Sequence, residues 1–210
     1  MIYEKAVYVH IPKCAGLSMG ELCRNENISI DAINTCEDHL NKTYDTNCYV
    51  NIDSLSKKDL FSFSFVRNPF DRLVSAYKCP WVSGVEVTCH GKRKYNLEFD
   101  NFNSFVNKFV LNENDYSFFR WSHVMPYTDT RMKLFNHDGK LQISFIGRFE
   151  KLQEDFNTIC DKIGIPQQKL PHKNKTNHKH YTEYYDEETK SIVAEKYAKD
   201  IEYFGYEFGE

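Results

Sequence analysis

Residues 6–18 read AVYVHIPKCAGLS. Ala6, Val7, Tyr8, Val9 and Ile11 form a short apolar, β-prone run, which suits a strand buried in a mostly parallel sheet better than an amphipathic helix. Pro12 stops the strand. Gly16 can take backbone angles that a side chain would forbid, and Leu17 to Leu22 can then wind into a helix whose first amides have no partner within it. A strand, a turn carrying Lys13 and Gly16, and a helix start carrying Ser18 together make a cradle for a phosphate, with backbone N–H, ammonium and hydroxyl groups facing one way. The nucleotide-binding pattern GxxxxGK[ST] is not met, because Lys13 precedes Gly16 and the first glycine is missing.

A second strand-turn-helix corner follows. FSFSFV, residues 61–66, alternates aromatic and small residues as a core strand does. In RNPFDRLVSAY, residues 67–77, Asn68-Pro69 forces a turn. Phe70, Leu73, Val74 and Tyr77 then recur at helical spacing, so a helix is expected to begin near Pro69 and Asp71. Arg67 is left at the mouth of the strand and Ser75 lies two turns into the helix. Read from the residues alone, Arg67 is either an anion ligand or a partner of Asp71, and Ser75 either a ligand or a surface hydroxyl.

HIPKCAGLS resembles the loop that binds the 5′-phosphosulfate of 3′-phosphoadenosine 5′-phosphosulfate (PAPS) in sulfotransferases, above all the carbohydrate branch, whose loop reads like HIPKTAGTS. FSFVRNPFDRLVSAY is similar to the motif of the same family in which an Arg at the strand end and a Ser eight positions later bind the 3′-phosphate. FIGRFEKLQEDF and the tail from LPHKNKT through YFGYEF resemble it too; the match is weakest over residues 24–58 and 79–117. The resemblance implies an α/β fold similar to P-loop kinases, with a central parallel sheet flanked by helices, in one sulfotransferase domain over residues 1–210. It implies PAPS as the sulfuryl donor, no metal, and a carbohydrate or small-molecule hydroxyl as acceptor. Lys13, Cys14, Ala15, Gly16, Leu17, Ser18, Arg67 and Ser75 would bind the donor, with Lys13 also catalytic. Relatives place a catalytic His some twenty to thirty residues before the motif Arg, and His39 alone of the eight histidines falls there. A neutral imidazole near pH 7 suits a general base. His123 is the reserve, as base or as part of the acceptor site.

Composition sets the outer limits. The 210 residues can bury a real core, and 41% hydrophobic and 15% aromatic residues mark a globular chain. A net charge of −3 argues against a general nucleic-acid binder, so an anion site has to be a local patch. Seven cysteines without paired short spacings fit reduced thiols better than a disulfide framework or a zinc site. No apolar run is long enough for a membrane span and no signal-peptide core is visible, which leads to the expectation of a soluble, cytoplasmic protein. The sequence does not set the oligomeric state.

Elsewhere a short helix is expected over residues 17–26 and a polar stretch over 27–51. Residues 79–100 read as a loop or insertion whose basic cluster includes Lys92 and Arg93, candidates for contact with an acidic acceptor. Phe102, Phe105, Val106, Phe109 and Val110 form a helical core stripe. Residues 118–129 read as an aromatic and polar loop, 141–146 as a third strand, and 149–163 as a helix ended by Gly164 and Pro166. HKNKTNHKH, residues 172–180, is either a basic connector or a loop near an anion; its lysines disfavour metal binding by His172, His178 and His180. Two other functions stay in view: a binding module that kept the pocket without catalysis, and a small P-loop-like kinase. The first needs no base, and the second is disfavoured by the missing GxxxxGK[ST].

Overall fold

The computed structural model describes residues 5–23, 30–34, 60–89, 92–112, 118–170 and 179–210. They pack as two compact units, Met1–Arg67 with Tyr127–Thr176, and Asn68–Pro126 with Asn177–Glu210.

The first unit is built on strands β1 (Lys5–His10), β2 (Ile30–Asn34), β3 (Leu60–Val66) and β6 (Phe145–Arg148), in the order β2-β1-β3-β6. Every pairing in this sheet is parallel. Helices α1 (Gly16–Cys23) and α6 (Leu152–Ile163) belong to the same unit. The FSFSFV alternation explains how the middle of the sheet packs. Phe61, Phe63 and Phe65 are buried, and Tyr8 meets Phe63 and Phe65 at ring-centroid separations of 5.4 and 6.5 Å. Burying each Phe contributes roughly 1.5–3 kcal/mol. Ser62 and Ser64, at the alternate positions, find polar partners: the Ser62 and Ser144 hydroxyls are 3.2 Å apart, and Ser64 Oγ donates to Val9 O at 2.7 Å. Helix α6 buries Phe156, Ile159, Cys160 and Ile163 and ends, as expected, at Gly164 with φ 71°.

Two strand expectations are corrected here. The third strand starts at Phe145, not Leu141. Residues 135–141 are held in a tight turn, in which Asn136 N–H donates to Lys140 O at 2.9 Å and Asn136 Oδ1 accepts from the Asp138 and Lys140 amides. Leu141 therefore bridges Phe135, and pairing with β3 begins four residues later. Strand β2 lies inside the stretch read as merely polar; Ile30–Asn34 is too short to show a period, and its pairing with β1 defines it. The short helix after the loop ends, in the described residues, at Cys23.

The second unit contains α2 (Pro69–Tyr77), α3 (Pro80–Ser83), an antiparallel hairpin of β4 (Gly84–Cys89) and β5 (Lys92–Leu97), α4 (Phe102–Phe105) running into a π-turn at Val106–Val110, α5 (Phe118–Ser122), α7 (Glu187–Lys196) and α8 (Ala198–Phe204). The hairpin corrects the expectation of a loop over 79–100, and α5 that of a loop over 118–129. Both are short elements whose pairing or packing, not periodicity, sets their form. The expected core stripe is present: Phe102, Phe105, Val106, Phe109 and Val110 are all buried. Phe70, Tyr185 and Phe208 form a ring cluster with centroids 5.0–5.6 Å apart. Helix α7 opens on a capping box, with Thr189 N–H donating to Asp186 Oδ1 at 2.7 Å. Hydrogen bonds from Thr189 hold the Asp186 carboxyl below its ordinary pKa. Among the described residues, no helix is long and apolar enough to cross a membrane.

Candidate active site

The expected anion loop is a strained corner at the C-terminal end of β1. Lys13 and Ala15 both have left-handed backbones, φ 70° and 64°, a conformation that costs a residue with a Cβ roughly 1–2 kcal/mol. Cys14 N–H donates to Ile11 O at 3.3 Å and Tyr8 OH donates to Cys14 O at 3.4 Å, which holds the turn against the strand it leaves. The bond from Met19 N–H to Ala15 O, 3.1 Å, closes the first turn of α1, so the amides of Gly16 and Leu17 lie ahead of it. No acid stands in that first turn. No acidic side chain of that turn therefore offsets the positive end of the helix dipole.

Gly16 is required for a different reason from the one expected. Its backbone is not at positive φ; a Cβ there would stand 2.0 Å from His10 Nε2, so the His10 ring fills the space that the glycine leaves. His10 is 9% exposed, at the end of β1, and supports the loop from beneath. Cys14 is fully buried and Ser18 nearly so, whereas Leu17 is 45% exposed and Lys13 half-buried.

Arg67 follows β3, the strand next to β1. Its Nη1 donates to Lys13 O at 3.4 Å, and its guanidinium carbon lies 4.2 Å from the centre of the Phe149 ring. The stacking holds the planar, permanently charged group without neutralising it. Tyr127 OH accepts from Arg67 N–H at 3.0 Å, donates to Arg67 O at 2.8 Å and stands 3.4 Å from Cys14 Sγ. Lys13, Cys14 and Arg67 thereby come to one corner of the first unit. Tyr127 and Phe149 were not singled out as site residues from the sequence. Phe149 lies in a stretch whose family resemblance could have flagged it; Tyr127 carried no signal beyond its place in an aromatic loop.

The remaining candidates are placed separately. Ser75 is half-buried on α2 in the second unit. Lys92 and Arg93 lie on β5, in register with Cys89 and Thr88. His123 is 5% exposed in the turn after α5. The carbonyls around it are taken up. Arg72, 1% exposed, donates from Nη2 to Ser122 O at 3.1 Å and from Nη1 to Met125 O at 2.7 Å, and Tyr197 OH donates to Val124 O. Burial pushes the Tyr197 phenol well above its ordinary pKa, so it stays a donor. His123 is therefore on a rigid support. His39 and residues 171–178 lie outside the described residues.

Comparison with known proteins extends what this corner suggests. Carbohydrate sulfotransferase 14 of Danio rerio is 26% identical over 164 residues, which cover 70% of this chain and 44% of the relative. The chain thus spans less than half the length of that curated relative. No solved structure matches. The model of the sulfotransferase family matches residues 3–207, nearly the whole sequence and both strand-turn-helix corners within it. This chain belongs to the sulfotransferase family.

Proposed function

We propose that the chain transfers a sulfuryl group from PAPS to a hydroxyl group of a carbohydrate, and that its two packing units make up one sulfotransferase domain. One family match running from residue 3 to residue 207 supports the single domain. The observation that carries the reaction is the corner at which Arg67 reaches the loop of Lys13, two motifs 54 residues apart in sequence. The chain fits the donor on its own terms: a loop in strained backbone, a helix start without an acid, and a stacked guanidinium.

PAPS supplies the activated sulfuryl group. The amides of Ala15, Gly16 and Leu17 with Ser18 hold the 5′-phosphate, while the Cys14 amide, already donating to Ile11 O, shapes the turn instead of binding; Arg67 and Ser75, each from its own element, bind the 3′-phosphate. Lys13 neutralises the charge that gathers on the phosphate oxygen as its bond to sulfur breaks. His39 takes the proton of the acceptor hydroxyl as the new sulfur–oxygen bond forms, with His123, Lys92 and Arg93 as acceptor contacts. The preference for a carbohydrate rests on the name of the relative and on the loop's resemblance to that branch.

Thermal unfolding tests the donor site. 3′-Phosphoadenosine 5′-phosphate at one hundred times its Kd should stabilise the chain by about 2.7 kcal/mol, and ATP at equal concentration by far less. Radiolabelled sulfate transfer to a panel of saccharides tests the reaction. His39→Ala should keep binding and lose roughly 10²–10⁴-fold in transfer. Nucleotide binding without transfer to any acceptor would leave a binding module. Loss of transfer in His123→Ala but not in His39→Ala would move the base to His123.

A further inference from the structure

Resting on that reading of the site, we propose that Tyr127 is a positioning residue: its phenol locks the phosphate loop to the end of β3, so that the loop and Arg67 keep one geometry. The ring is fully buried. A phenol has one proton and two lone pairs. Its proton goes to Arg67 O and one lone pair accepts the Arg67 N–H, so both backbone groups of this residue are bound by one oxygen. The peptide planes from which the guanidinium departs are then fixed from both sides. The second lone pair faces Cys14 Sγ at 3.4 Å, and the phenol proton is already committed, so the thiol is the donor. The Cys14 carbonyl is held in turn by Tyr8 OH. Tyr127 thus links two segments that carry the charges of the site, although its ring, at zero exposure, is shielded from any ligand in solution.

This assigns a role to the side chain of Cys14 as well: a buried donor to Tyr127, and no nucleophile. The hydrogen bonds predict coupling. Removing either partner breaks the link between them, and once the Tyr127 hydroxyl is gone with its two bonds to Arg67, removing the Cys14 thiol as well adds little, because the bond it made to Tyr127 is already lost.

Calorimetric titration with 3′-phosphoadenosine 5′-phosphate tests this on the parent, Tyr127→Phe, Cys14→Ala, Cys14→Ser and the double variant Cys14→Ala/Tyr127→Phe. Kd should rise about 3–10-fold in Tyr127→Phe and in Cys14→Ala, the scale of one hydrogen bond. The double variant should bind about as well as the weaker single one, and Cys14→Ser, which keeps a donor, should stay within about twofold of the parent. A purely structural role would lower the ligand-free melting temperature and leave Kd unmoved. Parent-like affinity in Tyr127→Phe, or losses that simply multiply in the double variant, would overturn the proposal. Should Tyr127→Phe fail to fold, equal weakening in Cys14→Ala and Cys14→Ser overturns it. A parent that binds no nucleotide defeats the underlying reading of the site, and this inference with it; a parent that binds, with unaffected variants, defeats this inference alone.

Discussion

After β1 the chain turns through Lys13 and Ala15 at positive φ and enters α1 from Ala15, whose methyl group cannot accept a hydrogen bond. At the start of α2 the same problem, amides without partners, is solved internally. Asn68 Oδ1 accepts from Phe70 N–H at 3.1 Å, Pro69 removes one amide, and Asp71 places a negative charge in the first turn. Helix α7 is closed in the same manner by Asp186 and Thr189. The difference teaches where an anion can gain. At α1 the residue before the helix is Ala15, which offers no side-chain cap, so an anion bound there would be held by backbone amides. At α2 the amides are already served, so a phosphate there would have to be held by side chains, the part that the proposed function gives to Arg67 and Ser75.

That contrast can be broken or sharpened by substitution. The largest effect is expected for Lys13→Ala, at the uncapped corner: turnover should fall by roughly 10²–10³-fold, the scale of losing one group that stabilises transition-state charge. Affinity for 3′-phosphoadenosine 5′-phosphate should fall much less. Steady-state kinetics beside direct binding decide it; unchanged turnover with equal losses in binding and in kcat/KM would make Lys13 only a positioning cation.

Arg67→Ala should come next, weakening nucleotide binding by about 1.5–3 kcal/mol through the lost charged hydrogen bond to ligand, with some fall in the ligand-free melting temperature from the lost Phe149 stacking and Lys13 O contact. Ser75→Ala should do less. Parent-like affinity in Arg67→Ala would remove side-chain recognition from the second motif and with it half of the contrast.

The smallest effect is expected for Asn68→Ala. Loss of this cap should cost about 0.5–2 kcal/mol of stability, a fall in melting temperature of roughly 1–8 °C for a chain of this size, with nucleotide affinity unchanged. A large loss of affinity at unchanged stability would mean that the α2 amides take part in binding after all.

How far the sequence could be read depended on the range of the forces involved. The apolar run ending at Pro12, the FSFSFV alternation, the start of α2 at Asn68-Pro69 and the end of α6 at Gly164 are local effects of sterics and side-chain period, and each was legible. The loop motif was legible for the same reason, since a Lys, a Gly and a Ser within six residues must share a turn. Strand β2 was not, because IDAIN neither alternates cleanly nor forms an apolar run and takes its identity from β1 beside it; the hairpin was missed although Val85 and Val87 alternate with Glu86 and Thr88, because the glycines and the basic run around it read as a loop. The late start of the strand expected at 141–146 follows from the Asn136 turn, which captures Leu141 before β3 can.

The sequence by itself determined the family's two motifs, the parallel α/β architecture and the positions of Lys13 and Arg67, all set within short windows of chain. Only the tertiary structure decided that the His10 ring occupies the space a Cβ at Gly16 would take, that Phe149 carries the Arg67 guanidinium, and that Tyr127 binds both backbone groups of Arg67 beside Cys14. These contacts span 6 to 113 residues of sequence. They arise because parallel strands β1 and β3 bring their C-terminal ends together, and a hydrogen bond or a van der Waals clash is felt over a few ångströms of space, however much chain lies between its partners.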